Sequence, residues 1–141
     1  MHFSLLDREL ERTDGSITTL KHITSAEEYL QDHFPSFPVL PGVMMLEAMA
    51  QAARSLIDPD GTAERPWVLG TVRALKYGSF VRPGSSIRVR VREHSRTDDG
   101  IEFRGDVRLI EPVGNGEPQP DPDDAPLACI GRFEMRPVRR S

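Results

Sequence analysis

An apolar helix preceded by a proline-rich loop is the feature that most constrains the fold of this chain. The loop, residues 33–41, contains Pro35, Pro38 and Pro41. Each proline fixes φ at about −65° and removes a backbone donor, so the loop cannot be helical. The residues that follow, 42–57, are apolar around most of a helical circumference. A helix that is apolar on nearly all sides is buried, so other elements must enclose it.

Two ionisable side chains stand beside the start of this helix. His33 lies in the stiff loop, and Glu47 is the only charged residue between His33 and Arg54. A histidine titrates near neutral pH, and a carboxylate among apolar residues either has a partner or has its pKa raised by desolvation. Such a pair can transfer protons at neutral pH. Taken singly, each is more often an ordinary surface or capping residue, and only the combination supports catalysis.

The first turn of the helix adds a third group. The amides of Gly42 and Val43 have no partners within the helix, and the helix dipole makes this end positive. Both properties suit a carbonyl oxygen that gathers negative charge during a reaction.

The remaining sequence predicts an antiparallel sheet in a single domain, residues 1–141. Apolar and polar residues alternate in several segments, as they do in strands with one buried face. The predicted strands are 15–23, which follows an Asp-Gly turn and pairs with 3–11, then 67–75, 87–92, 101–109 and 127–135. A Ser-Ala-Glu-Glu capping box predicts a short helix over 25–31. One long helix with these strands indicates an α+β fold in which the sheet surrounds the helix.

Two further segments have open interpretations. Arginines alternate with apolar residues through 87–92 (IRVRVR), which we interpret as a solvated strand face; a docking patch for an acidic carrier protein is the alternative. The connection 111–126 (EPVGNGEPQPDPDDAP) is rich in proline, glycine and aspartate, and it predicts a long mobile loop without chemistry of its own; a lid or docking element is the alternative.

Composition excludes several classes of function. A net charge of −4 without a basic block argues against nucleic acid as a partner. The sequence has neither a long apolar run nor a signal peptide, which predicts a soluble, cytoplasmic protein without a membrane segment. Cys129 is the only cysteine, and its strand-like surroundings predict a buried, unreactive thiol. The four histidines lack ligand spacing, so we expect no metal site, and no cofactor is indicated.

The segment HFPSFPVLPGVMMLEAMAQ, residues 33–51, resembles the signature of the β-hydroxyacyl-acyl-carrier-protein dehydratases of fatty-acid synthesis, which have the hotdog fold. The match includes His33, Glu47 and the spacing between them. The glutamate favours the dehydratase branch over the related dehydratase/isomerase branch, which has an aspartate there. Asp32 and Ser36 depart from the pattern, which has glycine at both positions.

The resemblance implies a lyase that needs no cofactor. It implies that His33 removes the α-proton of a (3R)-hydroxyacyl thioester and that Glu47 of a second subunit protonates the departing hydroxyl. The thioester carbonyl would bind at Gly42 or Val43, and the carrier would be acyl-carrier protein or CoA. The assembly would be a homodimer or a trimer of dimers, with the site between subunits. Two alternatives remain open: a hotdog thioesterase, and a non-catalytic acyl-binding subunit.

Overall fold

The structure, a computed structural model, describes residues 4–24, 39–118 and 120–138. These residues form one α-helix, six strands and a single turn of 3-10 helix. In chain order they are β1 (Arg8–Arg12), β2 (Ser16–His22), α1 (Gly42–Ile57), β3 (Trp67–Tyr77), β4 (Ser86–Arg96), β5 (Ile101–Ile110), the 3-10 turn (Pro122–Asp124) and β6 (Leu127–Pro137). The strands form one antiparallel sheet in the order β1-β2-β4-β5-β6-β3.

The predicted α+β architecture is confirmed. The helix has the predicted bounds, because its apolar period begins after Pro41 and ends at the turn that starts with Asp58. The five later strands all occur, and β3, β4 and β6 extend beyond the predicted ends. The first strand is shorter than the predicted 3–11 and comprises Arg8–Arg12. The short helix predicted over 25–31 lies outside the described residues.

The core lies between α1 and one face of the sheet. The inward residues of β4, β5 and β6 are almost fully buried, and they meet small residues on the helix. Gly105 on β5 makes this close approach possible, because a Cβ there would lie 2.6 Å from the Sδ of Met49. Beside this contact the rings of Phe103 and Phe133 stack with centroids 5.7 Å apart. Full burial of each such side chain stabilises the fold by about 1.5–3 kcal/mol.

The two edges of the sheet are β1 and β3. Strand β3 is long, but its pairing with β6 shifts register between Leu69 and Val72 and again between Arg73 and Lys76. Within the second irregularity Ala74 has φ 51°, in the left-handed region that non-glycine residues rarely adopt. The edge is therefore interrupted at two places.

The prediction that the arginines of β4 form a solvated face is wrong for Arg88. Arg92 is exposed and Arg90 half-buried, but Arg88 is only 5% exposed. Its guanidinium donates to the carboxylate of Asp123 at 2.5 Å, and Arg90 lies 3.4 Å from the same carboxylate. These arginines hold the pKa of Asp123 below its ordinary value. The alternation along β4 correctly predicts that Arg88 points away from the core. It cannot predict that the 3-10 turn, distant in sequence, covers the side chain.

The ion pairs of Asp123 and three further hydrogen bonds anchor the carboxyl end of the acidic connection. The amide of Leu109 donates to the carbonyl of Pro126, and Arg108 donates to the carbonyl of Ala125. Asp121 caps the 3-10 turn by accepting from the amide of Asp123. Mobility stays a prediction for residues 111–118, which precede these contacts.

Cys129 is buried on the inner face of β6, as predicted. Burial raises the pKa of its thiol from 9.0 to about 11, because the thiolate would lose its hydration there. The thiol is therefore protonated in the folded protein at physiological pH.

This raised pKa predicts a loss of stability at high pH. Between about pH 9 and 11 the unfolded chain releases the thiol proton while the folded chain keeps it. The free energy of unfolding should then fall by up to about 1.4 kcal/mol per pH unit. Urea titrations across this range would measure the slope for the protein and for Cys129→Ala, which should show a shallower slope. Equal slopes would contradict the assignment.

Candidate active site at the start of the helix

Helix α1 begins without a side-chain cap. Pro41 occupies the N-cap position with φ −59° and ψ 141°, and its side chain cannot accept a hydrogen bond. The first turn contains no acidic residue, so no carboxylate of the helix offsets the positive end of its dipole. The amides of Gly42 and Val43 have no partner within the helix. This end of the helix is therefore suited to an oxygen with partial negative charge.

The surface around the helix start is apolar and open in the single chain. The ring of Tyr77, from the end of β3, lies directly over Gly42, because a Cβ on Gly42 would be 2.7 Å from two ring atoms. Tyr77 is nonetheless 54% exposed, Val43 is 64% exposed and Phe80 is 70% exposed. Large exposed apolar side chains at one location are typical of a binding surface.

The two ends of the segment that contains His33 are hydrogen-bonded to one turn of the chain. Leu40 donates its amide to the carbonyl of Val81 at 2.7 Å, just before the helix begins. At the other end, Ile23 donates to Ser85 and accepts from Gly84. His33 itself lies outside the described residues. Both ends of that segment therefore lie at the 81–85 turn, and Leu40 leads directly into the helix start.

Glu47 lies on α1 beyond the first turn and is half-buried. Its Oε1 accepts a hydrogen bond from Nε2 of Gln51 at 3.3 Å, one turn further along the helix. The Oε1 of Gln51 accepts in turn from the amide of Leu5 at 2.7 Å. Leu5 is fully buried, so this amide needs a partner within the protein. Through these two bonds the segment before β1 orients the carboxyl group of Glu47.

Two residues at this site had not been assigned a role from the sequence. Gln51 follows Glu47 by four residues, a spacing at which helix side chains meet, so a signal for their contact existed. The bond from Gln51 to Leu5 joins residues 46 positions apart and has no local signal. The contact between Tyr77 and Gly42 also depends on the tertiary structure and has no local signal in the sequence.

The described residues contain neither a cluster of metal ligands nor a membrane-spanning helix. Within the described ranges, no three His, Cys, Asp or Glu side chains are grouped as metal ligands would be. No helix in the part of the chain that the structure describes is long and apolar enough to cross a bilayer.

Sequence comparison identifies the family. Residues 9–111 match the model of a family described as ApeI-like, ApeI dehydratase. The 3-hydroxyacyl-[acyl-carrier-protein] dehydratase FabZ of Lactococcus lactis subsp. cremoris is 34% identical over 111 residues, which cover 77% of this chain and 72% of that protein. The FabZ of Oenococcus oeni is 40% identical over 89 residues, 62% of this chain and 64% of that protein.

Structure comparison confirms the hotdog fold and extends beyond dehydratases. The dehydratase heterocomplex ApeI:P from Xenorhabdus doucetiae superposes with a TM-score of 0.65 at 16% identity, covering 96% of this chain and 99% of that one. A thioesterase superfamily member from Thermus thermophilus gives 0.63 at 18% identity, covering 89% and 83%. The fold alone is thus compatible with dehydratase and with thioesterase activity, and sequence similarity distinguishes between the two. The family match and the identity to FabZ proteins show that this chain is a lyase of the ApeI-like dehydratase family.

Proposed function

We propose that this dehydratase removes water from a (3R)-3-hydroxyacyl thioester in fatty-acid or related acyl-chain synthesis. The product is a trans-2-enoyl thioester, and the carrier is acyl-carrier protein or CoA. Identity to FabZ proteins supports the substrate class. The observation that carries the proposal is the placement of Glu47. Gln51 holds its carboxyl group just beyond a helix start whose first amides have no partner within the helix.

The reaction needs one base, one acid and one site for negative charge. His33 takes the proton from C2, and the electron pair moves onto the thioester oxygen at the amides of Gly42 and Val43. As the C=O bond re-forms, a double bond forms between C2 and C3 and the C3–O bond breaks. Glu47 donates its proton to the departing hydroxyl, which leaves as water. His33 then returns one proton and Glu47 regains one, so the site is reset without any redox partner.

We propose that a second chain completes this site. The open apolar surface at Val43, Tyr77 and Phe80 supports it, because a partner subunit would cover these side chains. The free edge of β3 supports it too, since edge strands are covered or paired in native proteins. We propose a homodimer or a trimer of dimers in the cytoplasm, with His33 and Glu47 of each site contributed by different subunits.

Loss of either catalytic side chain should remove the activity without unfolding the protein. We expect His33→Ala and Glu47→Gln each to lower turnover by about 10² or more, as for a general acid or base. His94→Ala and Glu11→Gln, at exposed positions on β4 and β1, are the matched controls. The measurement is the absorbance of the enoyl product formed from a 3-hydroxyacyl thioester.

The same reactions can be followed for free thiol. Thiol release without enoyl product would establish the thioesterase alternative. Acyl binding without turnover, unchanged in His33→Ala, would establish the non-catalytic one. Turnover close to that of the unaltered protein in either variant would remove His33 or Glu47 from the mechanism.

Subunit exchange tests the shared site. A mixture of His33→Ala and Glu47→Gln chains should regain activity, because half of the sites in a heterodimer combine an intact His33 with an intact Glu47. Light scattering should show no folded species near 15.8 kDa at micromolar concentration. A folded monomer, or no recovery after demonstrated exchange, would place both residues in one chain.

Gln51 is expected to act as a positioning residue for Glu47. Gln51→Leu removes the bond to Glu47 and leaves the buried amide of Leu5 without this acceptor. The free energy of unfolding should fall by about 1–3 kcal/mol, and the rate should fall mainly through kcat, because Gln51 orients the acid and does not bind substrate. Gln51→Glu keeps an acceptor for Leu5 and should restore most of the stability. A change confined to KM would contradict this role.

A further inference from the structure

The phenol group of Tyr77 lies against the start of α1, where the proposed reaction gathers negative charge. A Cβ built on Gly42 would lie 2.7 Å from both Cε1 and Cζ of Tyr77 and 3.1 Å from its hydroxyl oxygen. The Cα–Cβ bonds of a helix lean toward its amino end. The hydroxyl is therefore on the amino-terminal side of Gly42, toward which the first-turn amides also point.

The hydroxyl of Tyr77 and the amide of Gly42 are close enough to share one acceptor. The Cβ position is two bonds from the amide nitrogen, a separation of about 2.5 Å. The hydroxyl oxygen is 3.1 Å from the same position, so the two donors are at most about 5.6 Å apart. One oxygen can accept from two donors up to about 5.8 Å apart, because each hydrogen bond is about 2.9 Å long. A thioester oxygen bound at the helix start is thus within reach of Tyr77.

The pairing of β3 with β6 holds the ring in this place. Strand β3 ends at Tyr77, which pairs with Cys129, and the next amide, that of Gly78, donates to the carbonyl of Ala128 at 2.9 Å. A side chain on Gly78 would overlap the carbonyl oxygen of Leu127, so the two strands approach closely here. The ring is therefore positioned by the fold in the single chain. Stabilisation of a developing charge requires donors that are placed in advance in this way.

The Tyr77 hydroxyl is protonated and available as a donor. Across the part of the chain that the structure describes, it makes no hydrogen bond. Desolvation raises the pKa of this hydroxyl above its ordinary value of 10.0, so it keeps its proton at neutral pH. Because the proposed site lies between subunits, a second subunit would enclose this hydroxyl together with the substrate.

We propose that Tyr77 is a catalytic residue that donates a hydrogen bond to the thioester oxygen, beside the amides of Gly42 and Val43. This inference rests on the proposed dehydration. When His33 takes the C2 proton, the electron pair moves onto the thioester oxygen, and the bond from Tyr77 strengthens as that oxygen becomes negative. Tyr77 keeps its own proton throughout, so the proton balance of the reaction is unchanged. The hydroxyl thereby stabilises the enolate-like state more than the bound substrate.

The first test removes the hydroxyl and keeps the ring. In Tyr77→Phe we expect kcat for dehydration to fall by about tenfold to a hundredfold, as for the loss of one donor among several. KM should change by less than about twofold, because the interaction is made mainly in the transition state. Ser95→Ala removes a hydroxyl from an exposed position on β4 and should keep the kcat of the unaltered protein. Both variants should keep the melting temperature.

The second test changes the acceptor atom of the substrate. In a 3-hydroxyacyl dithioester, sulfur replaces the carbonyl oxygen, and sulfur is a weak hydrogen-bond acceptor. With this substrate, Tyr77→Phe should lower kcat by less than about twofold, because there is little hydrogen bond left to lose. Glu47→Gln should still lower it by about 10² or more, because Glu47 acts on the departing hydroxyl. Absorbance of the enoyl product measures both reactions.

The outcomes separate this inference from the proposed function. Full kcat in Tyr77→Phe would remove Tyr77 from the mechanism and leave the dehydration in place. A loss confined to KM, or an equal loss with the thioester and the dithioester, would also overturn the role of Tyr77. If the unaltered protein forms no enoyl product from any 3-hydroxyacyl thioester, the proposed dehydration is wrong and the role of Tyr77 is wrong with it.

Discussion

The close contact between an almost wholly apolar helix and one face of a sheet is the constraint on which this structure depends. Gly105 admits the helix to the sheet, and alanines at 48, 52 and 53 keep the helix surface flat enough to be covered. Once α1 is held there, the positions of its first turn and of Glu47 are fixed relative to the sheet.

The same helix leaves part of its surface uncovered by the sheet. The residues that pack on the sheet are fully buried, whereas Val43 is exposed and Glu47 is half-buried in the single chain. A polar side chain at such a border would have many rotamers if it had no partner, and ordering it costs conformational entropy. The bonds from Leu5 to Gln51 and from Gln51 to Glu47 limit that freedom in the single chain. The segment that contains Leu5 thereby contributes to the geometry of the proposed site.

Local patterns account for what the sequence could predict. The helix bounds follow from an apolar period between Pro41 and Asp58 and were correct. Alternation predicted which segments are strands, but several strand ends differ from the prediction by two to five residues. The position of Glu47 on α1 was predicted in the same way. Burial of Arg88 was not, because it depends on Asp123, 35 residues further along. The contact between Tyr77 and Gly42 is equally non-local, and no period in the sequence encodes it.

Strand β3 has a consequence for assembly that concerns geometry more than affinity. A register shift changes which residues of a strand face outward and increases its local twist. Because β3 has two such shifts, its free edge consists of short regular stretches and not of one long edge to which another strand could pair. An incoming strand can follow this edge only where its own irregularities coincide with those at Ala74 and before Val72. Few alignments of two identical antiparallel strands meet that condition. The interruptions in β3 therefore limit the addition of further strands and protect the protein from aggregation through its sheet edge.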